Sequence, residues 1–344
     1  MADPKINTVL VTGANGYIGN AVARSFASSG FTTYGLVRSK AALYSLATNE
    51  IIPVLGTFTD LSFLSKLEEE GVVFDIIVST TEEITNYIPH YKNVVKLLRT
   101  VATSSNKSGV RPLVLFTSGC KDYGMSPYLA SSPELAPHTE ESPLNPSPFA
   151  VDRANYAVKI FEHVDLFDAA VLRPTNVFGY NSSYYSEFFV AAERAKELGV
   201  FEVKENPETV LHACHVDDCG DAYVSLALAP REKVSGQCFS ISSYRFETLR
   251  EIAEAFVKEY AISGGVKFVD GKWGTGSRPD EVRERMIMGY SQWTGSAKIR
   301  ELTGWRDRRL LFSRGLKQYR IAYEAAIVQG KLKLQNIPSE EVRR

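Results

Sequence analysis

Thr8-Val9-Leu10-Val11-Thr12-Gly13-Ala14-Asn15-Gly16-Tyr17-Ile18-Gly19 is the stretch whose reading decides the fold. An apolar run, Val9 to Val11, stops at Thr12 and gives way to three spaced glycines, the pattern of a strand, a glycine turn and a helix start. Gly13 suits the tight turn, Gly16 leaves space for a phosphate to approach the backbone, and Gly19 lets the helix lie close to the strand. The first helical N–H groups then face an anion. The expected occupant is a dinucleotide, held by Gly13, Asn15, Gly16, Tyr17, Ile18 and Gly19.

Working outward, a helix is expected over 17–29 and a second strand over 32–37, ending in Arg38-Ser39-Lys40. An acid at that strand end would accept bonds from the ribose hydroxyls of NAD. Arg38 and its neighbours instead suit a 2′-phosphate, so NADP is expected ahead of NAD. Apolar runs at 51–55, 75–79 and 113–116 read as further strands, and the spacing of leucines and valines over 61–70 and 90–104 as helices. Strand and helix alternate throughout, which predicts an α/β fold: a doubly wound parallel Rossmann sheet with ligands at the carboxyl ends of its strands. Residues 126–148 are rich in proline, serine and acids, and further strand material at 169–172 follows them, so they read as a long ordered loop inside the fold.

Composition narrows the function classes. Hydrophobic residues make up 44% of 344 and the formal net charge is −1, so a large core is affordable and no field gathers nucleic acid or an anionic membrane. No apolar run approaches the length of a membrane span, and a cytoplasmic protein acting on a small molecule is expected. Cys120, Cys214, Cys219 and Cys238 are irregularly spaced, and His212, Cys214, His215 and Cys219 match no metal-ligand spacing, so no metal is expected.

The motifs resemble those of the extended short-chain dehydrogenase/reductases, the NAD(P)-dependent epimerase/dehydratase group. The carriers are Thr12 to Gly19, Thr117-Ser118-Gly119 with Tyr123-Gly124, Leu172-Arg173-Pro174-Thr175-Asn176-Val177-Phe178-Gly179, His215-Val216-Asp217-Asp218, and Leu302-Thr303-Gly304-Trp305-Arg306. The resemblance implies a Rossmann domain over most of 1–180, completed by later segments, a smaller substrate-binding lobe over most of 181–335, and a polar tail at 336–344. It also implies cofactor contacts from Thr57, Phe58, Thr80, Pro174, Asn176 and Val177. His215 becomes a structural histidine beside Asp217. A monomer or a homodimer is compatible with it.

In that family a tyrosine exchanges the proton while a lysine four residues later holds the ribose, and a serine or threonine orients the substrate oxygen. In the matching region the candidates here are Tyr156 and Lys159, three apart, with Asn155 at the usual tyrosine spacing, and Ser118 or Thr117 beside Gly119, where the family's serine position falls. Lys121 is a further candidate, able to hold an anionic group or exchange protons if its pKa is depressed. Glu82, following the fourth strand, would be costly near a phosphate unless paired. Phe178 to Phe189, dense in aromatic residues and hydroxyls, favours an aromatic or alicyclic ligand with a few oxygens, and Arg278, Arg283 and Arg285 lie where relatives contact sugar nucleotides. The expected function is NADP-dependent oxidoreduction of a small oxygenated, specialised metabolite. The alternatives are a non-redox isomerase, dehydratase or cyclase on the same fold, or a dinucleotide-binding regulator.

Overall fold

Seven parallel strands form the central sheet, and their alternating apolar faces explain its two-sided core. The computed structural model describes residues 7–269 and 279–330; Arg278, the side chain of Arg283 and the tail from residue 336 lie outside the described residues. In chain order the first half comprises β1 (Thr8–Thr12), α1 (Tyr17–Ser28), β2 (Thr32–Val37), α2 (Leu43–Ala47), β3 (Ile52–Leu55), α3 (Phe63–Glu69), β4 (Ile76–Ser79), α4 (Tyr87–Lys107) and β5 (Leu113–Thr117). α5 (Val151–Ala157), β6 (Asp168–Pro174), β7 (Asn176–Phe178), α6 (Ser186–Leu198) and α7 (Val216–Leu228) follow. The sheet order is Gln237–Ile241, β6, β5, β4, β1, β2, β3. The order reverses between β1 and β4, so the connections leave in opposite directions there and a crevice opens at the carboxyl ends.

Side chains alternate along β1: Val9 and Val11 join the core formed with α1 and α7, while Leu10 joins the one formed with α3, α4 and α5. The seventh strand, Gln237–Ile241, was not foreseen. It pairs with β6 in the register Cys238↔Val171, and its single-residue alternation is hidden by Ser240, which is buried.

A third core lies away from the sheet, around Phe178, Tyr185, Phe188, Phe189, Phe256 and Phe312. It absorbs most of the aromatic run that the sequence offers to a ligand. Each fully buried ring contributes about 1.5–3 kcal/mol, reason enough for these residues without a substrate. Residues 126–147 form no helix or strand, but they are pinned: Ser126 N donates to Ser291 O (2.8 Å), His138 N to Trp293 O (2.8 Å), and Ser240 N donates to Glu140 Oε1 (2.5 Å). Among the described residues no helix is long and apolar enough to cross a membrane.

Candidate active site

The crevice begins at the loop between β1 and α1. Gly13 has φ +68°, a conformation that disfavours a side chain, and Gly16 N donates back to Gly13 O at 2.8 Å. A Cβ on Gly19 would strike Gly13 O and come within 2.5 Å of Thr80 Oγ1. Thr80, just after β4, donates from its hydroxyl to Thr12 O at 2.6 Å and so holds the neighbouring strand end against the loop. No side chain caps the start of α1, so its first N–H groups remain available to an anion. This cradle fits a dinucleotide phosphate. Gly19→Ala is expected to weaken dinucleotide binding by at least about tenfold, since the loop must shift by about 1 Å to admit the new carbon; fluorescence titration with NADH and NADPH measures it.

The other expected cofactor contacts follow the carboxyl ends of successive strands. Arg38 and Lys40 are exposed just past β2. Thr57 follows β3 and accepts from Asp60 N at 3.0 Å, and Phe58 sets its ring 5.6 Å from that of His90, edge to face. Pro174 ends β6. Asn176 and Val177 lie in β7, which pairs with Ala213–His215. Tyr17 turns to the far side, its hydroxyl donating to Gly179 O at 2.5 Å, while Ile18 leans on the core and Asn15 stays exposed. The Tyr17 bond ties the β1–α1 loop to the segment that follows β7.

β5 runs into a single 3₁₀ turn, Cys120–Tyr123, that carries the densest polar cluster of the crevice. Asp122 is fully buried at its centre and accepts from Arg153 Nε (2.9 Å), Arg173 Nε (3.3 Å) and Ser118 Oγ (2.5 Å). Arg153 also donates to Glu82 Oε1 at 2.8 Å, so the glutamate foreseen as costly is paired. Arg173 continues to the Tyr123 hydroxyl (3.2 Å), which meets Ser240 Oγ at 3.0 Å. Ser118 is thereby spent on Asp122: its hydroxyl is a donor inside the network.

Lys121 stands apart from this pairing. Its ammonium sits over the rings of Tyr290 (4.5 Å), Phe149 (5.8 Å) and Tyr184 (6.0 Å), and makes no hydrogen bond or ion pair with the described residues. Burial pushes its pKa down to about 8; Cys120 and Glu82 work upward against that, and Arg153 adds to the fall. The Cys120 thiol is itself pushed up to about 11 by burial and points at Gln292 Oε1, 2.9 Å away.

Tyr156 and Lys159 are not brought to Ser118 and Lys121. Tyr156 lies one helical turn beyond Arg153, its ring 5.5 Å from that of Tyr91 on α4, in the apolar seam between α4 and α5. Lys159 places its ammonium 3.9 Å above the same ring. What the helix start presents instead is Phe149, in the 3₁₀ turn Pro148–Ala150, and Arg153, four residues on. The Arg153 guanidinium lies against Gly119: a Cβ built there would meet its three terminal atoms at 3.2–3.3 Å. The spacing of Phe149 and Arg153, after Pro146-Ser147-Pro148, was the signal available in the sequence.

The two histidines considered for a metal have other work. His212 Nδ1 accepts from Thr294 N and its Nε2 faces Ser243 O (3.0 Å), while His215 Nδ1 accepts from Asp217 N at 3.1 Å and caps α7. Burial brings both down to about 4, so both are neutral at pH 7.

The sequence profile described as "NAD dependent epimerase/dehydratase family" matches residues 9–242. No curated protein matches in sequence. Solved structures share the fold. The dTDP-glucose 4,6-dehydratase of Bacillus anthracis, in complex with NAD, superposes with a TM-score of 0.67 at 19% identity, covering 93% of this chain and 97% of that one. UDP-glucuronic acid 4-epimerase of Bacillus cereus, also with NAD, gives 0.67 at 14% over 92% and 99%. UDP-glucose-4-epimerase of Stenotrophomonas maltophila, with bound NAD, gives 0.69 at 15% over 94% and 99%. The strand order, the glycine cradle and the family match agree: the chain belongs to the NAD dependent epimerase/dehydratase family and is an NAD(P)-dependent enzyme of that kind.

Proposed function

We propose that the protein is an NADP-dependent oxidoreductase that acts on a small oxygenated, ring-bearing organic molecule, with Lys121 as the group that carries the proton. The observation behind this reading is the triplet Gly119, Phe149 and Arg153. Gly119 falls at the family's serine position, Phe149 and Arg153 are four apart as the family's tyrosine and lysine are, and none of the three brings a hydroxyl to the crevice. Lys121 is the proton-bearing side chain lodged between Phe149 and Tyr184.

When bound, the nicotinamide supplies the hydride for the substrate carbon. Lys121 Nζ gives one proton to the carbonyl oxygen, so the C=O π bond is replaced by a C–H and an O–H bond, and the neutral amine takes a proton back from water. A pKa of about 8 suits this exchange: the ammonium is still mostly charged at pH 7, yet it gives up its proton far more readily than an exposed lysine. The groups facing it do not titrate in the same range: burial raises Cys120 to about 11 and Tyr290 to about 12, it raises Tyr184, and Arg153 stays charged. The rings of Tyr184, Tyr290 and Phe149 offer a ring-bearing substrate flat apolar contact.

The preference for NADP rests on Arg38, Ser39 and Lys40 at the end of β2, where none of the three is acidic. Arg38→Asp is expected to cut kcat/KM with NADPH by at least about tenfold and to favour NADH, because a carboxylate repels the 2′-phosphate and bonds to free ribose hydroxyls. Purified protein incubated with NADPH and a panel of aryl and alicyclic ketones tests the whole reading. Consumption of NADPH with formation of the alcohol supports it. No consumption with any of them, or product formed without any need for hydride, overturns it.

A further inference from the structure

Arg153 carries an observation that its ion pairs leave unexplained. Its side chain is 9% exposed, Nε is taken by Asp122 and Nη1 by Glu82, but Nη2 is buried without a hydrogen-bond partner. A buried guanidinium nitrogen normally finds an acceptor, and its loss costs more than the bond itself contributes. This nitrogen lies against Gly119, just before the turn, whose missing side chain leaves room for the guanidinium: a Cβ there would come within 3.2 Å of Nη2.

The charges around it do not cancel. Arg153 and Arg173 face Asp122 and Glu82, which balances them. Lys121 then remains as a positive charge with no carboxylate of its own, held over Tyr290 and flanked by Phe149 and Tyr184. One negative charge would neutralise the pocket, and acceptor oxygens would satisfy both Nη2 and the ammonium.

We propose that the substrate is a monoanionic carboxylate, bound with a carboxylate oxygen on Arg153 Nη2, its neighbouring carbonyl oxygen on Lys121 Nζ, and its ring against Tyr184 and Tyr290. The chemical class is a 2-oxo acid with an aromatic or alicyclic substituent. This rests on the functional reading above and adds the charge of the substrate to it. Gly119 contributes by having no side chain: a hydroxymethyl group there would crowd the Arg153 guanidinium and displace Nη2.

The experiment compares benzoylformate with its methyl ester, two compounds that share ring and ketone and differ in one charge. Binding of each to the full-length protein saturated with NADP is measured by calorimetry, and NADPH consumption is followed with each. Benzoylformate is expected to bind at least about tenfold more tightly than the ester, the ratio of one charge-assisted hydrogen bond. Arg153→Gln is expected to abolish the preference. Arg153→Lys keeps a charge for Asp122 but has no second terminal nitrogen; it should fold, as checked by its unfolding midpoint, and lose most of the preference. Equal or tighter binding of the ester, absence of binding by either compound, or a preference untouched in a folded Arg153→Lys would overturn the proposal. NADPH consumption with the ester would in that case leave the oxidoreductase reading standing, whereas consumption with neither would remove both.

Discussion

Lys121→Met is expected to lower kcat/KM about a hundred- to ten-thousand-fold, the range contributed by a positioned general acid. Methionine preserves the length and the contact with Tyr290, Phe149 and Tyr184, and removes only the ammonium. Because a half-buried charge without a carboxylate partner is a stability cost, the same variant should unfold at the same denaturant concentration as the natural protein or a higher one. Activity and stability would then move in opposite directions, which a residue with a merely structural role would not produce. Tyr156→Phe is the control: its ring packs on Tyr91, and turnover is expected to stay within about twofold. A loss below tenfold in Lys121→Met, or a large loss in Tyr156→Phe, would assign the proton to another group.

Asp122→Asn is expected to destabilise the protein by about 3–5 kcal/mol, the cost of removing one partner from a buried ion pair. The carboxylate has no exposed surface and serves two guanidinium groups and a hydroxyl, so the amide leaves Arg173 without a carboxylate and Arg153 with Glu82 alone. The exposed Arg99–Asp165 pair provides the comparison. It is bidentate, at 2.9 and 2.8 Å, yet both side chains face water, and Arg99→Ala is expected to cost about 0–1 kcal/mol. Chemical unfolding of the two variants side by side checks the difference. A change of less than about 1 kcal/mol in Asp122→Asn would mean that Asp122 is not the fixed point of the cluster. The functional consequence follows from geometry: without Asp122, Nε of Arg153 is unanchored and the guanidinium is no longer held against Gly119.

The sheet was largely legible because its determinants are local. β1 shows its apolar run, Gly13 its turn and Gly19 its close contact within twelve residues, and each later strand of the first half repeats the pattern. Gln237–Ile241 escaped because an edge strand that begins exposed and includes a buried serine has little alternation to read. The site was harder for a different reason. Asp122, Arg153, Arg173 and Glu82 belong to four segments, and nothing in the local sequence of any one of them announces the others. Tyr156 and Lys159 attract attention as a tyrosine and lysine in the region that matches the family's proton-transfer pair, and their packing on Tyr91 is not local information. Phe149 and Arg153 also lie four apart, at the start of a helix, and only the fold shows Arg153 reaching Gly119. The aromatic run divides in the same way: Tyr185, Phe188 and Phe189 are core, and Tyr184 meets Lys121.

The central claim, that Lys121 carries the proton, is tested most directly by the pH dependence of kcat/KM for ketone reduction, measured from about pH 6 to about pH 10 in the natural protein and in Tyr156→Phe. Lys121 must be protonated to donate, so activity is full below its pKa and lost as pH rises through it. The account predicts a plateau at low pH and a tenfold fall per unit above about 8, the same in both proteins. A profile that stays flat through pH 8 and falls only near about 10, where tyrosine ordinarily titrates, or one that disappears in Tyr156→Phe, would contradict it.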